Sequence, residues 1–506
     1  MSSSALNKRR FIVVSNRLPI SVFHNDKGGL EATQGAGGLV TALAPVLKNR
    51  GGTWIGWPGT NEKGVTAMCR SFSREAGYSL RPVSLSDAEV EGFYRGFSNE
   101  ILWPLFHEFQ MPCNFLPTYW DAYVSANAKF TEVVAATMQD ADFIWVHDYH
   151  LMLMAHMLKA KDPTARLGFF LHIPFPPADI FLKIPWRRQL LDAMLDYDLI
   201  GFQTLRDRYN FFESIKRIYP AATRRGRGQV LTLQADGRKT RLGTFPISID
   251  FQSFSREARQ LQSQENARSI REAFGDRFLL FGADRLDYTK GVPQRLDALR
   301  VALERYPELR GKVCLIQVVV PSREDVPQYR TMKVEIERMV GEINGRFSVP
   351  GWAPVHFVYR NLPREKLIAY YVASDMALIT PLRDGMNLVA KEYAACNVRE
   401  TGILCLSEFA GASMELHRHA VMVNPFDVDG VAEAIRDGVF MDAEERRRRM
   451  RAIRTILRRY DIFRWVDTFL DAAFSTHLDA FPQTDADYWY RLAADQGPPW
   501  EALQGD

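Results

Sequence analysis

Two carboxylates, a glycine and an asparagine crowd one short stretch, Thr380-Pro-Leu-Arg-Asp-Gly-Met-Asn-Leu-Val-Ala-Lys-Glu-Tyr393. The apolar run Met376 to Thr380 reads as a buried parallel strand, and a helix is expected from Asn387 to about Cys396. In open α/β sheets, ligands bind at the carboxyl ends of strands, where helix N-termini offer free N–H groups to anions. Asp384 and Glu392 beside such a turn suit a ligand that is both polyhydroxylated and phosphorylated.

The same kind of residue follows strand after strand. Asn16-Arg17, His147-Asp148-Tyr-His150 and His172-Ile-Pro-Phe-Pro176 occur in the first half, and Arg285 to Lys290, Ser322-Arg323, Arg360-Asn361 and Arg383-Asp384 in the second. One polar residue after a strand means little, because chains turn there anyway. Repetition at so many strand ends marks a site. Arg285 and Lys290 precede Gly291-Val-Pro293, and a proline suits the first turn of the helix expected to reach about Tyr306. Two cations at a positive helix end suit a diphosphate. Gly35-Ala-Gly37-Gly38-Leu39, opening another helix, would let backbone amides approach a phosphate or sugar oxygen. The histidines at 147 and 150 have no third histidine or cysteine flanking them, so Asp148 reads as an acceptor of sugar hydroxyls and the histidines as shapers of the turn. His172 precedes two prolines that stiffen the chain, which favours a donor–acceptor role. Trp54, Trp57, Tyr94 and Trp103 fall in loop-like or amphipathic segments, and any that are not core could stack on a sugar face.

These groups need a scaffold of strand ends. Short apolar runs alternate with helical patterns from Phe11-Ile-Val-Val14 to Ala420-Val-Met-Val423, the pattern of βαβ units and parallel sheets. A chain of 506 residues exceeds what one core supports. The runs form two sets on either side of an irregular-looking stretch, Arg224 to Arg241. The expected fold is α/β, with two Rossmann-like parallel-sheet domains facing a cleft: residues 1–244, then 245–459. An amphipathic helix at 460–480 would pack back on the first domain, and 481–506 reads as a peripheral tail. A net charge of +4 gives no case for nucleic acid, and the arginines from Arg446 to Arg459 follow Glu444-Glu445 as a solvated helix face would. Five scattered cysteines form no CxxC pair, and neither an apolar leader core nor a membrane-length run is present. The chain reads as cytoplasmic and soluble.

Taken together, Val14-Ser-Asn-Arg17, Gly37-Gly38-Leu39, Trp54-Ile-Gly-Trp57, Ser98 to Trp103, Trp145 to His150, His172 to Pro176, Arg285 to Gly291 and Arg383 to Glu392 closely resemble the trehalose-6-phosphate synthase family, glycosyltransferase family 20. The likeness runs from about Phe11 to Leu470. It implies a glycosyltransferase-B fold and a retaining hexosyltransferase that joins a nucleotide-linked glucose, UDP-glucose first among the donors, to glucose 6-phosphate. The resemblance assigns the acceptor to Arg17, Tyr94, Asp148 and Arg323. It assigns the donor to Gly37, Gly38, Arg285, Lys290, Leu362, Asp384, Leu388, Val389, Ala390, Lys391 and Glu392. Trp103 and Ile173 would enforce the α anomer, and Arg285, Lys290, His172 and Asp148 would act in catalysis. It further implies no metal and no cofactor, and a homo-oligomer, tetramer or dimer. Ala283-Asp284 stands before Arg285 where the family usually has valine-glutamate, and Met111 to Tyr119 is not mapped onto a family motif. The alternatives are the same fold with glycerol 3-phosphate or a cyclitol phosphate as acceptor, or a non-catalytic sugar-phosphate sensor.

Overall fold

The computed structural model describes residues 10–25, 29–35, 38–109, 113–226, 228–322 and 327–475. It divides into two compact units, Met1–Ile247 with Phe463–Asp506, and Ser248–Ile462.

Unit 1 contains β1 Phe11–Arg17, β2 Ile20–His24, β3 Leu30–Gln34, β4 Thr53–Trp57, β5 Ser79–Pro82, β6 Phe143–His147, β7 Arg166–Phe170, β8 Leu199–Phe202, β9 Thr223–Arg225, β10 Val230–Ala235 and β11 Arg238–Thr244. Nine of them form one sheet in the order β5-β4-β1-β6-β7-β8-β11-β10-β9, and β2 and β3 form a separate hairpin. Neighbours from β5 to β11 run parallel, so their carboxyl ends lie on one edge. The stretch from Arg224 to Arg241 is not irregular as expected. It adds antiparallel strands β9 and β10 beside β11. Such extensions at a sheet margin keep one wet face, which replaces a continuous apolar run by alternation and charge. Trp54 and Trp57 likewise sit on β4, buried, rather than in a loop.

The helix Ile462–Phe474 belongs to unit 1 and packs on its sheet. Phe469 stacks on Trp145 of β6 with ring centroids 4.3 Å apart, and Trp465 Nε1 donates to Phe245 O at 2.9 Å.

Unit 2 holds β12 Phe278–Arg285, β13 Val313–Val320, β14 Val355–Tyr359, β15 Met376–Ile379, β16 Ile403–Ser407 and β17 Val421–Val423, in the order β14-β13-β12-β15-β16-β17. Every pairing is parallel, as continuous apolar strands covered by helices on both faces require. The arginine-rich helix Ala443–Arg459 starts on Asp442, which accepts from the Glu444 and Glu445 amides. Arg447, Arg448 and Arg449 pair with those glutamates, whereas Arg454 is buried and donates to the carbonyls of Ala394 and Ala395 at the end of helix Leu388–Cys396. Among the described residues the cysteines are free, and no helix is long and apolar enough to cross a membrane.

Candidate active site

At the end of β1, Ser15 accepts from Trp54 Nε1 at 2.7 Å and donates to Arg17 O at 2.8 Å, which ties β1 to β4. The Arg17 guanidinium lies over the Trp57 ring, 4.7 Å from its centroid. Gly59 lets it lie there. A Cβ at Gly59 would come within 2.6 Å of Arg17 Cζ, and its φ of +94° suits no side chain. Arg17 is exposed at the surface yet crowded by protein, and desolvation lowers its pKa against the opposing influence of Tyr94. Trp57 therefore serves as a platform for Arg17.

Tyr94 projects from Val90–Leu102, a π-helical stretch in which the Trp103 amide reaches back five residues to Ser98 O. Such turns are rare and gather at functional sites. Tyr94 stacks on His150 at 5.9 Å, with 17° between the rings. Trp103 and Ile173, expected to shape the sugar pocket, are almost fully buried, Trp103 against Tyr149 and His107.

Asp148, the first residue after β6, has φ +74° and ψ +166°, a region that normally belongs to glycine and costs about 1–3 kcal/mol for other residues. The fold holds it there by bonding the Asp148 amide to Phe170 O at 2.8 Å and its Oδ1 to the His172 amide at 3.2 Å. The strained carboxylate thus bridges the ends of β6 and β7. His147 Nδ1 lies 3.0 Å from His172 Nε2. Burial keeps both rings neutral, lowering His172 to about 3 and, with His172 beside it, holding His147 well below the usual imidazole range, so neither works as a cation near neutral pH.

In unit 2, Asp287 accepts from the Thr289 amide, and a short 3₁₀ turn, Tyr288–Lys290, leads to Gly291 and helix Val292–Arg305. Lys290 Nζ meets Asp384 Oδ2 at 2.6 Å. Asn387 caps helix Leu388–Cys396 by accepting from the Ala390 amide at 3.3 Å, and its amide nitrogen donates to Asp384 Oδ2 at 3.2 Å. The Leu382 amide bonds Thr289 O at 2.8 Å, so the lysine turn and the aspartate turn are one unit. Arg285 ends β12, exposed beside them.

Glu392 accepts from the Tyr371 hydroxyl at 2.8 Å, and burial raises its pKa to about 7 against the help of Tyr371 and Arg364. Leu388 and Val389 are half-buried on the first turn of the helix, with Ala390 and Leu362 buried. The Lys391 side chain turns into the core. It is fully buried in an ion pair with Glu415, which leaves only its main chain for a donor. Gly38 opens helix Gly38–Arg50, and Gly37 and Arg323 lie outside the described residues, as do Met111, Pro112 and the tail 481–506. Among the described residues, no group of three or more His, Cys, Asp or Glu side chains is placed to hold a metal ion.

Sequence reasoning overlooked Arg295, whose guanidinium joins Asp284, Gln317 and Thr380 beneath Lys290. A signal was available, since Arg295 stands in line with Val292, Leu296 and Leu299 on the apolar face of its helix.

Parallel sheets carrying cations and carboxylates at their strand ends are the equipment of nucleotide-sugar glycosyltransferases with the glycosyltransferase-B fold. The family model of glycosyltransferase family 20 matches residues 9–474. A trehalose-6-phosphate synthase of Mycolicibacterium gilvum is 43% identical over 471 residues, covering 92% of this chain and 93% of that one. The Mycobacterium tuberculosis trehalose-6-phosphate synthase is 41% identical over 475 residues, covering 92% and 95%. An α,α-trehalose-phosphate synthase (UDP-forming) from Burkholderia xenovorans, solved in complex with glucose-6-phosphate, aligns with a TM-score of 0.83 at 34% identity, covering 92% of this chain and all of that one. A structure from E. coli bound with UDP-2-fluoro glucose gives 0.82 at 34% identity, covering 92% and 98%. The chain belongs to glycosyltransferase family 20 and is a hexosyltransferase.

Proposed function

We propose that this chain moves glucose from UDP-glucose to glucose 6-phosphate with retention of configuration, giving α,α-trehalose 6-phosphate and UDP. The Lys290–Asp384 pair at the start of helix Val292–Arg305 carries the reading. It places a cation suited to a diphosphate beside a carboxylate suited to glucose hydroxyls. The names of the curated relatives and the ligands of the two solved neighbours support the same substrates.

In this reading Arg17, Tyr94, Asp148 and Arg323 bind the acceptor, the two arginines taking the 6-phosphate by their planar forks. Gly37, Gly38, Arg285, Lys290, Leu362, Asp384 and the segment from Leu388 to Glu392 bind the donor. Glu392, ionised, accepts from the ribose hydroxyls, and Trp103 and Ile173 shape the sugar pocket. His172, neutral by burial, serves as a hydrogen-bonding group rather than a general acid.

Retention by double displacement would need a carboxylate nucleophile at the anomeric carbon. Asp384 is engaged by Lys290 and Asn387, and Glu392 by Tyr371. The likeness to family 20 implies a front-face displacement instead. The bond from the anomeric carbon to the diphosphate oxygen breaks as the acceptor oxygen bonds to that carbon from the same face, and the acceptor proton passes to the departing diphosphate. Arg285 and Lys290 stabilise the charge that gathers on the leaving oxygens.

The test is to incubate the protein with glucose 6-phosphate and UDP-, GDP- or ADP-glucose and to measure nucleoside diphosphate release and the anomeric form of the product. Release with UDP-glucose and an α,α-linked product is expected. Release from none of the donors overturns the reading.

A further inference from the structure

Helix Val292–Arg305 turns an apolar stripe, Val292, Leu296, Leu299 and Leu303, toward the sheet of unit 2, and one cation lies within it. The Arg295 side chain has no exposure to solvent. Its Nε donates to Thr380 Oγ1 at 3.0 Å, Nη1 to Asp284 Oδ2 at 2.6 Å and to Gln317 Oε1 at 3.0 Å, and Nη2 to Lys290 O at 3.4 Å. The partners come from β12, from β13 and from the residue after β15, three strands adjacent in the sheet, and from the lysine turn itself. Only a planar guanidinium presents donors in so many in-plane directions at once.

The strand below makes room for this. A Cβ at Gly282 would lie 2.5 Å from Arg295 Nη1 and 2.6 Å from Gln317 Oε1. The shorter carboxylate of Asp284, the departure from the family pattern, also finds its use here as the neutralising partner of Arg295. A buried ion pair of this kind adds little to stability over an apolar replacement, so stability alone is a weak reason for it. What the network does is geometric. It bonds the carbonyl of Lys290 and the hydroxyl of Thr380, and those two turns carry the Lys290–Asp384 pair.

We propose that Arg295 is a positioning residue for the transfer step, holding the Lys290 turn and the Thr380–Asn387 turn in register beneath the leaving diphosphate. The inference rests on the reading of Lys290 given above. Because Asp284 compensates its charge, Arg295 acts through Lys290 and not as a second phosphate ligand.

Arg295→Lys keeps the charge and loses the fork. It should lower kcat on the order of 100-fold, as small displacements of a catalytic group do, with KM for glucose 6-phosphate within about twofold. Thr380→Val removes one acceptor at nearly constant shape and should lower kcat in the same sense by about tenfold. In a Lys290→Ala background each substitution should cost no more than about threefold, since the group being positioned is gone. Thr380→Val in the same cycle decides the matter if Arg295→Lys does not fold. Folded variants with kcat within about threefold of the parent overturn the proposal, and so do losses that multiply fully with Lys290→Ala. Failure of the functional reading looks different: Lys290→Ala then leaves kcat unchanged, or the parent releases no nucleoside diphosphate at all.

Discussion

Lys290 Nζ lies 2.6 Å from Asp384 Oδ2, and both side chains are largely withdrawn from water. On the proposed function, a donor diphosphate meets a lysine that already has an anionic partner. Binding exchanges one charge-assisted contact for another and so gains little, whereas charge building on the leaving oxygens gains much. Lys290→Ala should lower kcat by about 100- to 1,000-fold, the range seen when one preorganised charge-stabilising group is removed. KM for glucose 6-phosphate should hardly move. Unchanged turnover with weaker donor binding alone, read from steady-state kinetics, would contradict this.

Glu392 sets a pH dependence. Its carboxyl titrates at about 7 in the folded chain against 4.5 unperturbed. Below pH 4.5 it is protonated in both states and contributes no difference. Between the two values the unfolded chain gives up the proton first, so stability falls as pH rises through this window, and above 7 the whole penalty persists. Glu392→Gln should therefore stabilise the ligand-free protein at pH 8 by on the order of 2–3 kcal/mol and bring nothing at pH 4. Thermal melts of parent and variant at the two pH values check this. If Glu392 holds the ribose as proposed, nucleotide affinity should also rise with pH through about 7 in the parent, as the carboxylate becomes the stronger acceptor, and Glu392→Gln should flatten that component.

Gly59 tests the acceptor side. A methyl group there would lie 2.3 Å from Arg17 Nη2 on a backbone with φ +94°, so Arg17 must leave the Trp57 ring. Gly59→Ala should raise KM for glucose 6-phosphate by about tenfold or more, the value of one charge-assisted contact. KM for the donor should stay unchanged. An equal rise in both would show that the substitution disturbs the fold as a whole.

The pair of Lys391 and Glu415 predicts a rescue. Removing one partner leaves a buried charge and costs about 3–5 kcal/mol, so Lys391→Met should be strongly destabilised. Replacing both, Lys391→Met with Glu415→Leu, should restore most of the stability. Because the Lys391 side chain turns inward, the double variant should keep the parent KM for the donor. A large KM change in a stable double variant would place that side chain on the ligand after all.

The central strands were legible because parallel strands covered on both faces are continuous apolar runs, as in Phe143-Ile-Trp-Val146 and Val313 to Val320. β4 was not, because its tryptophans follow Gly51-Gly52 and resemble a loop. β10 and β11 were missed because a sheet margin tolerates Arg238 and Arg241 where a centre would not. In the site, the residues after each strand were visible because chain position alone puts them on one edge of a sheet. The direction of the Lys391 side chain and the convergence of Asp284, Gln317 and Thr380 on Arg295 depend on the register of neighbouring strands, which a single chain does not display. The backbone of Asp148 was equally hidden, since aspartate tolerates a positive φ more readily than most residues but does not require one.

The return of helix Ile462–Phe474 to the first sheet bears on how the protein is made. Phe469 fills the space left by two glycines, with a Cβ at Gly168 falling 2.9 Å and one at Gly201 2.8 Å from its ring. During synthesis from the N-terminus, the sheet of unit 1 emerges early but lacks that ring until Phe469, more than 220 residues after the end of β11, has left the ribosome. Unit 2, encoded without interruption from Ser248 to Ile462, can close its core first. The half translated first is thus the half completed last. A message cut short directly after codon 462 would yield one finished domain tethered to an unsealed sheet, with Trp145 and Phe170 stripped of their cover by Trp465 and Phe469.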